Sequence, residues 1–369
     1  MRARRPAHVL VALLLLLSTG ALFTVLATAH WSTLDQDIDA MTRQQQAAAY
    51  LRPAVRLVDT LAGVRSQAVR GEPSAAADLA EPLDALQAAD GPPETTAGEQ
   101  GLRATVEALG SGGNRVALLT DALDRAVDLV EAAASTGGLT GTGGSPQYLA
   151  DAVAVHLPRL VVHTVDVADA AWTARDTTGS ERTAWLVRIE SSRVAAAGVL
   201  ADLETALHSA STLDGAVAER STRLDAVRDA AGPIGGLRAL TPAPVAPDAT
   251  AAADTAVAVR DAARLSTSAL LSIMDEILAT TASDLRAERA QLLMLVGAGG
   301  ALAAALLWWS VPRPRTDDGT TTPATSSDDI AEISVQPVVD AHDLLGEQEL
   351  LHVGRGVRAR PRETNDDAE

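Results

Sequence analysis

From Leu34 onward the apolar positions fall at Leu34, Ile38, Met41, Ala48, Leu51, Val55, Val58, Ala62 and Val69, in steps of three and four with one polar interruption at Gln45. That spacing keeps one stripe of a helix apolar and predicts a sustained heptad seam. Pro53 is expected to kink this helix, because it has no amide donor and crowds the carbonyl four residues back. Gly71 is expected to end it. A second seam, Leu271, Leu278, Leu285 and Leu292 with Met274 in the partner position, repeats late in the chain. Between the two, shorter amphipathic helices are predicted over 75–89, 99–110, 114–135, 147–175, 180–210 and 212–230. GPP at 91–93, SGG at 111–113 and TGGLTGTGGSP at 136–146 separate them. Ser145 reads as a helix N-cap with Pro146 as the first helical residue, and PIGGLRALTPAPVAP at 233–247 reads as a loop.

Each seam continues into an uncharged run. Behind Arg2, Arg4 and Arg5, residues Val9 to Ala29 carry no charge, and a helix of that length spans roughly 30 Å, enough to cross a hydrocarbon core. Ala27-Thr28-Ala29 also fits a small-x-small cleavage site, so a removed signal peptide is the rival reading. The run exceeds the usual signal-peptide core of about 7–15 residues, which favours an uncleaved anchor. The second run, Gln291 to Val311, carries Trp308 and Trp309 where an interfacial belt belongs, and Arg313 and Arg315 follow it. Arginine on the far side of both runs predicts a plasma-membrane protein with both termini cytoplasmic. The expected fold class is all-α: an elongated extracytoplasmic helical bundle, two stacked modules, flanked by two transmembrane helices. The expected domains are a cytoplasmic N-terminus at 1–8, crossings at 9–29 and 291–311, the bundle at 30–290 with loops near 91–98, 136–146 and 232–250, and a largely disordered cytoplasmic tail at 312–369.

Composition narrows the chemistry. The chain of 369 residues is 2% aromatic, contains no cysteine and carries a formal charge of −18. The absence of cysteine excludes disulfides, thiolate metal sites and thiol nucleophiles together. The charge disfavours a nucleic-acid partner, which would need clustered basic residues. Split at the expected boundaries, the charge is +3 for 1–30, −14 for 31–290 and −7 for 291–369. The outer region has no block of one sign, as solvated helix faces would have. There is no lysine, so every fixed side-chain cation is an arginine. No nucleophile motif, phosphate loop, HExxH or paired-carboxylate signature occurs in the outer region, so no catalytic residue, cofactor or metal is expected.

Around 145–160 the chain reads SPQYLADAVAVHLPRL. Tyr148, Leu149, Asp151 and Ala152, followed by Leu157 and Pro158, form a short pattern that resembles the extracytoplasmic helical-bundle sensor regions of actinobacterial chemoreceptors and sensor histidine kinases. The plan of crossing, bundle and crossing over 1–311 is similar too. The resemblance implies recognition of a small anion or carboxylate by arginines of the first long helix. Such receptors continue into a HAMP module and a kinase or methyl-accepting hairpin, for which residues 312–369 leave no room. Action through partner proteins is therefore expected.

Arg52, Arg56, Arg65 and Arg70 lie on that helix, and Arg65 falls on its apolar seam. A buried guanidinium needs a partner. A bidentate ligand carboxylate would supply one, and so would an intramolecular or intersubunit acid. Arg65 and Arg70 are the candidate ligand-binding residues. His156 and His163, seven apart with Pro158 between them, stand roughly 10 Å apart along a helix, too far to share a metal without a bend. Gly297, Ala301 and Ala305 recur every four residues on the second run, beside Gly300 and Ala304. Small residues at that spacing allow close helix packing in lipid, in a homo- or hetero-oligomer or against the first crossing.

The tail opens with TDDGTTTPATSSDD at 316–329, which cannot bury enough apolar area to order itself. It then places nine acids and no arginine between Asp317 and Glu349, ahead of RGVRARPR. It reads as a docking segment for a cytoplasmic signalling partner or as a tether. The functional expectation is a non-enzymatic, sensor-like membrane protein, with a structural envelope scaffold as the alternative.

Overall fold

The computed structural model describes the backbone of residues 5–72, 76–89, 91–111, 113–141, 144–213, 222–233 and 247–310. The side chains of residues 5–17 and a few others fall outside that description. The expected tail at 312–369 and most of the 233–247 loop also lie outside it. Among the described residues the fold is all-α, with no strand. The helices are α1 (Arg5–Val69), α2 (Ala80–Ala88), α3 (Thr96–Ala108), α4 (Arg115–Thr136), α5 (Ser145–Asp151), α6 (Leu157–Asp176), α7 (Gly179–Leu213), α8 (Thr222–Ala231) and α9 (Ala249–Ser310).

The two long helices carry the architecture. At 1.5 Å per residue, the 65 residues of α1 and the 62 of α9 make rods on the order of 95 Å long. They pair antiparallel: Asp35 meets Arg289, Arg52 meets Asp275, and Asp59 meets Arg260, so numbers rise on one rod as they fall on the other. Their apolar runs therefore lie at the same end. Just inside that end, His30 Nε2 is 3.3 Å from Glu288, and the Arg289 guanidinium stacks on Trp31, 4.7 Å from the ring centroid. Polar contacts of this kind have one good register, whereas aliphatic stripes tolerate sliding.

Away from that end α1 is not a two-stranded seam. Ala47, Tyr50, Ala54, Leu57 and Leu61 are buried as well as the predicted Ala48, Leu51, Val58 and Ala62. Apolar residues all round a helix mark it as central, and α1 packs on α2, α4, α6 and α9 at once. The amphipathic α6 lies against α1, α7 and α9, while α3 covers α4 and α8 covers α9. One apolar cluster runs through these helices, and the contacts among the described residues group them as one unit. They draw no boundary between two stacked modules, because α1 and α6 thread the whole core.

Helix ends follow local chemistry. Gly71, at φ 73°, closes α1: the Glu72 amide donates to the Gln67 carbonyl and the Gly71 amide to Ala68. Gly138 ends α4 in the same way, with Leu139 fully buried beneath it. Pro53 leaves α1 continuous. The start of α5 differs from expectation. Gly144, at φ 83°, is its cap and Ser145 is already helical; the glycine supplies a left-handed turn that a serine N-cap would not adopt.

Pro158 has the larger effect. Lacking an amide and crowding the Ala154 carbonyl, it sits just after a five-residue π turn, Ala152–His156, that joins α5 to α6. The single helix expected over 147–175 is thus interrupted at its proline.

At the other extreme of α9, Leu293, Met294, Leu295 and Leu302 are each more than half exposed, and Trp308 is 75% exposed. By length and composition α9 carries a window able to cross a membrane, with none of it buried.

Candidate functional site

Two of the depressions beside α1 lie a few turns apart. The nearer to the apolar end lies between α1 around Val55, the start of α6 at Leu157 and Pro158, and α9. The π turn ahead of Pro158 interrupts the regular helix there, and α1, α6 and α9 do not close on one another. A cavity of about 210 Å³ remains. Val55, Val58, Leu157, Pro158, Val161 and Leu271 give it an apolar lining.

Five charged side chains stand on its wall: Arg52, Arg56, Arg260, Arg264 and Asp59. Arg260 is held firmly, its Nε 2.8 Å from Asp59 Oδ1 and its Nη2 2.9 Å from the Asp59 carbonyl. The other three pair outward with acids that are not on the wall: Arg52 with Asp275, Arg56 with Glu81 at 2.9 Å, and Arg264 with Asp261 at 3.1 Å. All three pairs are about half exposed or more, so each stabilises by no more than about 1 kcal/mol.

Thr267 also lines this cavity. It is 6% exposed, and its hydroxyl has no partner among the described residues. Thr255, Thr280 and Thr281 on the same helix all donate to the carbonyl four residues back. Thr267 does not, which leaves a buried hydroxyl open at a site where such groups are nearly always satisfied.

The second depression, a groove of about 610 Å³ between α1, α4, α6 and α7, contains the predicted Arg65. Its guanidinium is buried and paired twice: Nη2 is 2.6 Å from Asp166 Oδ1 and Nε 3.1 Å from Asp169 Oδ2. Ser66 donates to the other oxygen of Asp169. Burial pushes the Asp169 carboxyl above its ordinary range, against the pull of Arg65 and Ser66. Asp124 is also raised, by burial and then by the neighbouring Asp166 charge. With Asp121 and Arg188, the groove presents four carboxylates and two guanidiniums beside Trp185. Of the two sources of a partner for Arg65 left open above, the chain's own acids occupy the position.

Arg70 does not join Arg65. Its Nε lies 3.0 Å from Glu72, but its N–H does not point at that oxygen. Gly297, Gly300, Ala301 and Ala304 are exposed, and no described atom lies within 4 Å of where a Cβ would stand on either glycine. His156 and His163 are half-buried, and burial lowers both below 6.5. No cluster of potential metal ligands occurs among the described residues. Arg260, Arg264 and Thr267 escaped the sequence reading. Their signal was the i, i+4 arginine pair on the second seam, visible only once α9 is known to wall the cavity.

No protein-family model, no characterised protein and no solved structure matches this chain.

Proposed function

We propose that this is a non-enzymatic two-pass membrane protein whose extracytoplasmic bundle recognises a small molecule or partner and acts through other proteins. One observation carries the reading. The cavity at Val55 and Pro158 is walled by α1 and α9, and each of these helices runs unbroken from the cavity into its apolar end. A hydrogen-bonded rod passes on displacement that a loop would absorb. A ligand that separates or draws together the two rods has a mechanical route to the far end, some 40 Å away. In this reading residues 9–29 and 291–311 cross the plasma membrane, the termini are cytoplasmic, and the exposed small-residue face around Gly297 and Gly300 meets another helix in lipid, in a homo- or hetero-oligomer. The tail at 312–369 is where a cytoplasmic signalling partner would dock.

Two measurements test it. Tags at both termini are expected to resist protease in intact cells while the 30–290 region is cleaved; digestion of either tag refutes the topology. Melting of the full-length protein in detergent against a broad panel of small molecules is expected to give reproducible upward shifts with some of them. No shift with any compound, together with a stable co-purifying envelope protein, makes the bundle a scaffold.

A further inference from the structure

Resting on that reading, we infer that the cavity between α1, α6 and α9 binds a small organic anion with an apolar body. The charge balance of its wall points to this. In a chain of net charge −18, the wall carries four guanidiniums against one carboxylate, and that carboxylate, Asp59, is already held by Arg260. The remaining acids that pair with the rim stand outside the cavity. A guanidinium on a half-exposed ion pair exchanges partners at little cost, and a carboxylate offered from inside the cavity presents bidentate geometry to Arg52, Arg56 or Arg264.

The apolar lining excludes small, fully hydrated ions as the preferred guest. Sulfate or phosphate would leave Val55, Val161 and Leu271 uncovered and would lose hydration without replacing it. The volume sets the size. An apolar cavity of about 150 Å³ holds benzene, so about 210 Å³ takes an aryl or short branched alkyl group, with its carboxylate at the arginine rim.

Three matched probes decide the matter on the full-length protein in detergent: 3-phenylpropionate, 3-phenylpropionamide and 3-phenylpropylamine. Melting by circular dichroism is expected to rise with the acid alone, and less so at high salt. Arg52→Gln with Arg56→Gln, which removes only exposed pairs, is expected to weaken acid binding about tenfold or more. Ala263→Met, which fills the cavity without touching its charges, is expected to abolish binding with the fold retained. If the amide or the amine stabilises as well as the acid, the anion assignment is overturned while small-molecule recognition stands. If shifts persist unchanged in Ala263→Met, the cavity is not the site. If no probe shifts the melting while other members of the broad panel do, this ligand class is wrong. If nothing in either set does, the sensor reading falls with it.

Discussion

At the groove beside the end of α1, two arginines face four aspartates; about 14 Å lower on the same helix, four arginines share a cavity wall with one aspartate. In the groove the central cation is consumed. Arg65 is buried, both its ends are taken by acids of α6, and its role is to tie α1 to α6. In the cavity three of the four cations are about half solvated and bound to acids off the wall, and all are set round an apolar lining. The residue type is the same, but burial and the position of the counter-ion decide whether it holds the fold or remains available to a guest. A seam position, which made Arg65 conspicuous in the sequence, is a marker of burial, and a buried arginine in a finished core already has its partner.

The largest effect that would break this contrast is at Arg65. Arg65→Met strands Asp166 and Asp169 in an interior that cannot hydrate them, and the loss is expected to be about 3–5 kcal/mol. Chemical denaturation of the full-length protein measures it. A change under about 1 kcal/mol would show that the pair is dispensable and that Arg65 is as free as the cavity arginines. A smaller effect is expected at Gly63, on the face of α1 toward α9. A Cβ there would lie 2.7 Å from Nη2 of Arg260, so Gly63→Ala pushes the guanidinium off Asp59. The helix gains about 1 kcal/mol from the lost glycine and gives up a charge-assisted pair of about 1.5–3 kcal/mol, a net loss of about 1 kcal/mol. An unchanged Asp59–Arg260 distance in the variant would refute the mechanism.

Smaller again is the stability cost of Arg52→Gln. Its pair with Asp275 is half exposed on both sides, and removing it is expected to change stability by less than about 1 kcal/mol. The sharpened contrast is the point: Arg65 variants should fail in folding and Arg52 variants in binding. A loss at Arg52 as large as that at Arg65 would erase the distinction between the two depressions.

The sequence pattern revealed the parts of this fold that local physics decides. Heptad stripes carried α1 and α9, and Gly71 and the glycines after Thr136 closed their helices where expected, because a left-handed turn needs a residue without Cβ. What stayed hidden depends on distant neighbours. Nothing local says that α1 is surrounded beyond Ala47, that Asp166 and Asp169 would face Arg65 from about a hundred residues away, or that Val55 and Pro158 would line one cavity. Proline was read as a kink in α1 and a recurrent motif residue in α6. Only the packing of α1 and α6 against α9 sets a cavity beside Pro158. The Arg260 and Arg264 pair gave no local signal of a site for the same reason.

The finest test of the comparison is electrostatic and concerns the groove alone. Asp124 lies near Asp166, and its carboxyl is raised by burial and by that neighbour. A carboxyl whose folded pKa exceeds its unfolded value binds its proton more tightly when folded. Its contribution to stability is thus largest at low pH and declines as pH rises from the ordinary 3.8 through the raised value. Asp124→Asn removes that decline. The variant is expected to equal the parent near pH 4 and to exceed it at pH 7, by a few tenths of a kcal/mol because the site is largely solvated. His156 and His163 are depressed by burial as well, but they are present in both proteins and cancel in the difference. Melting of the two proteins side by side across that range reads the effect. A variant less stable than its parent at pH 7 would mean that Asp124 supports Arg65 instead of crowding Asp166. The groove would then hold spare positive charge, as the cavity does.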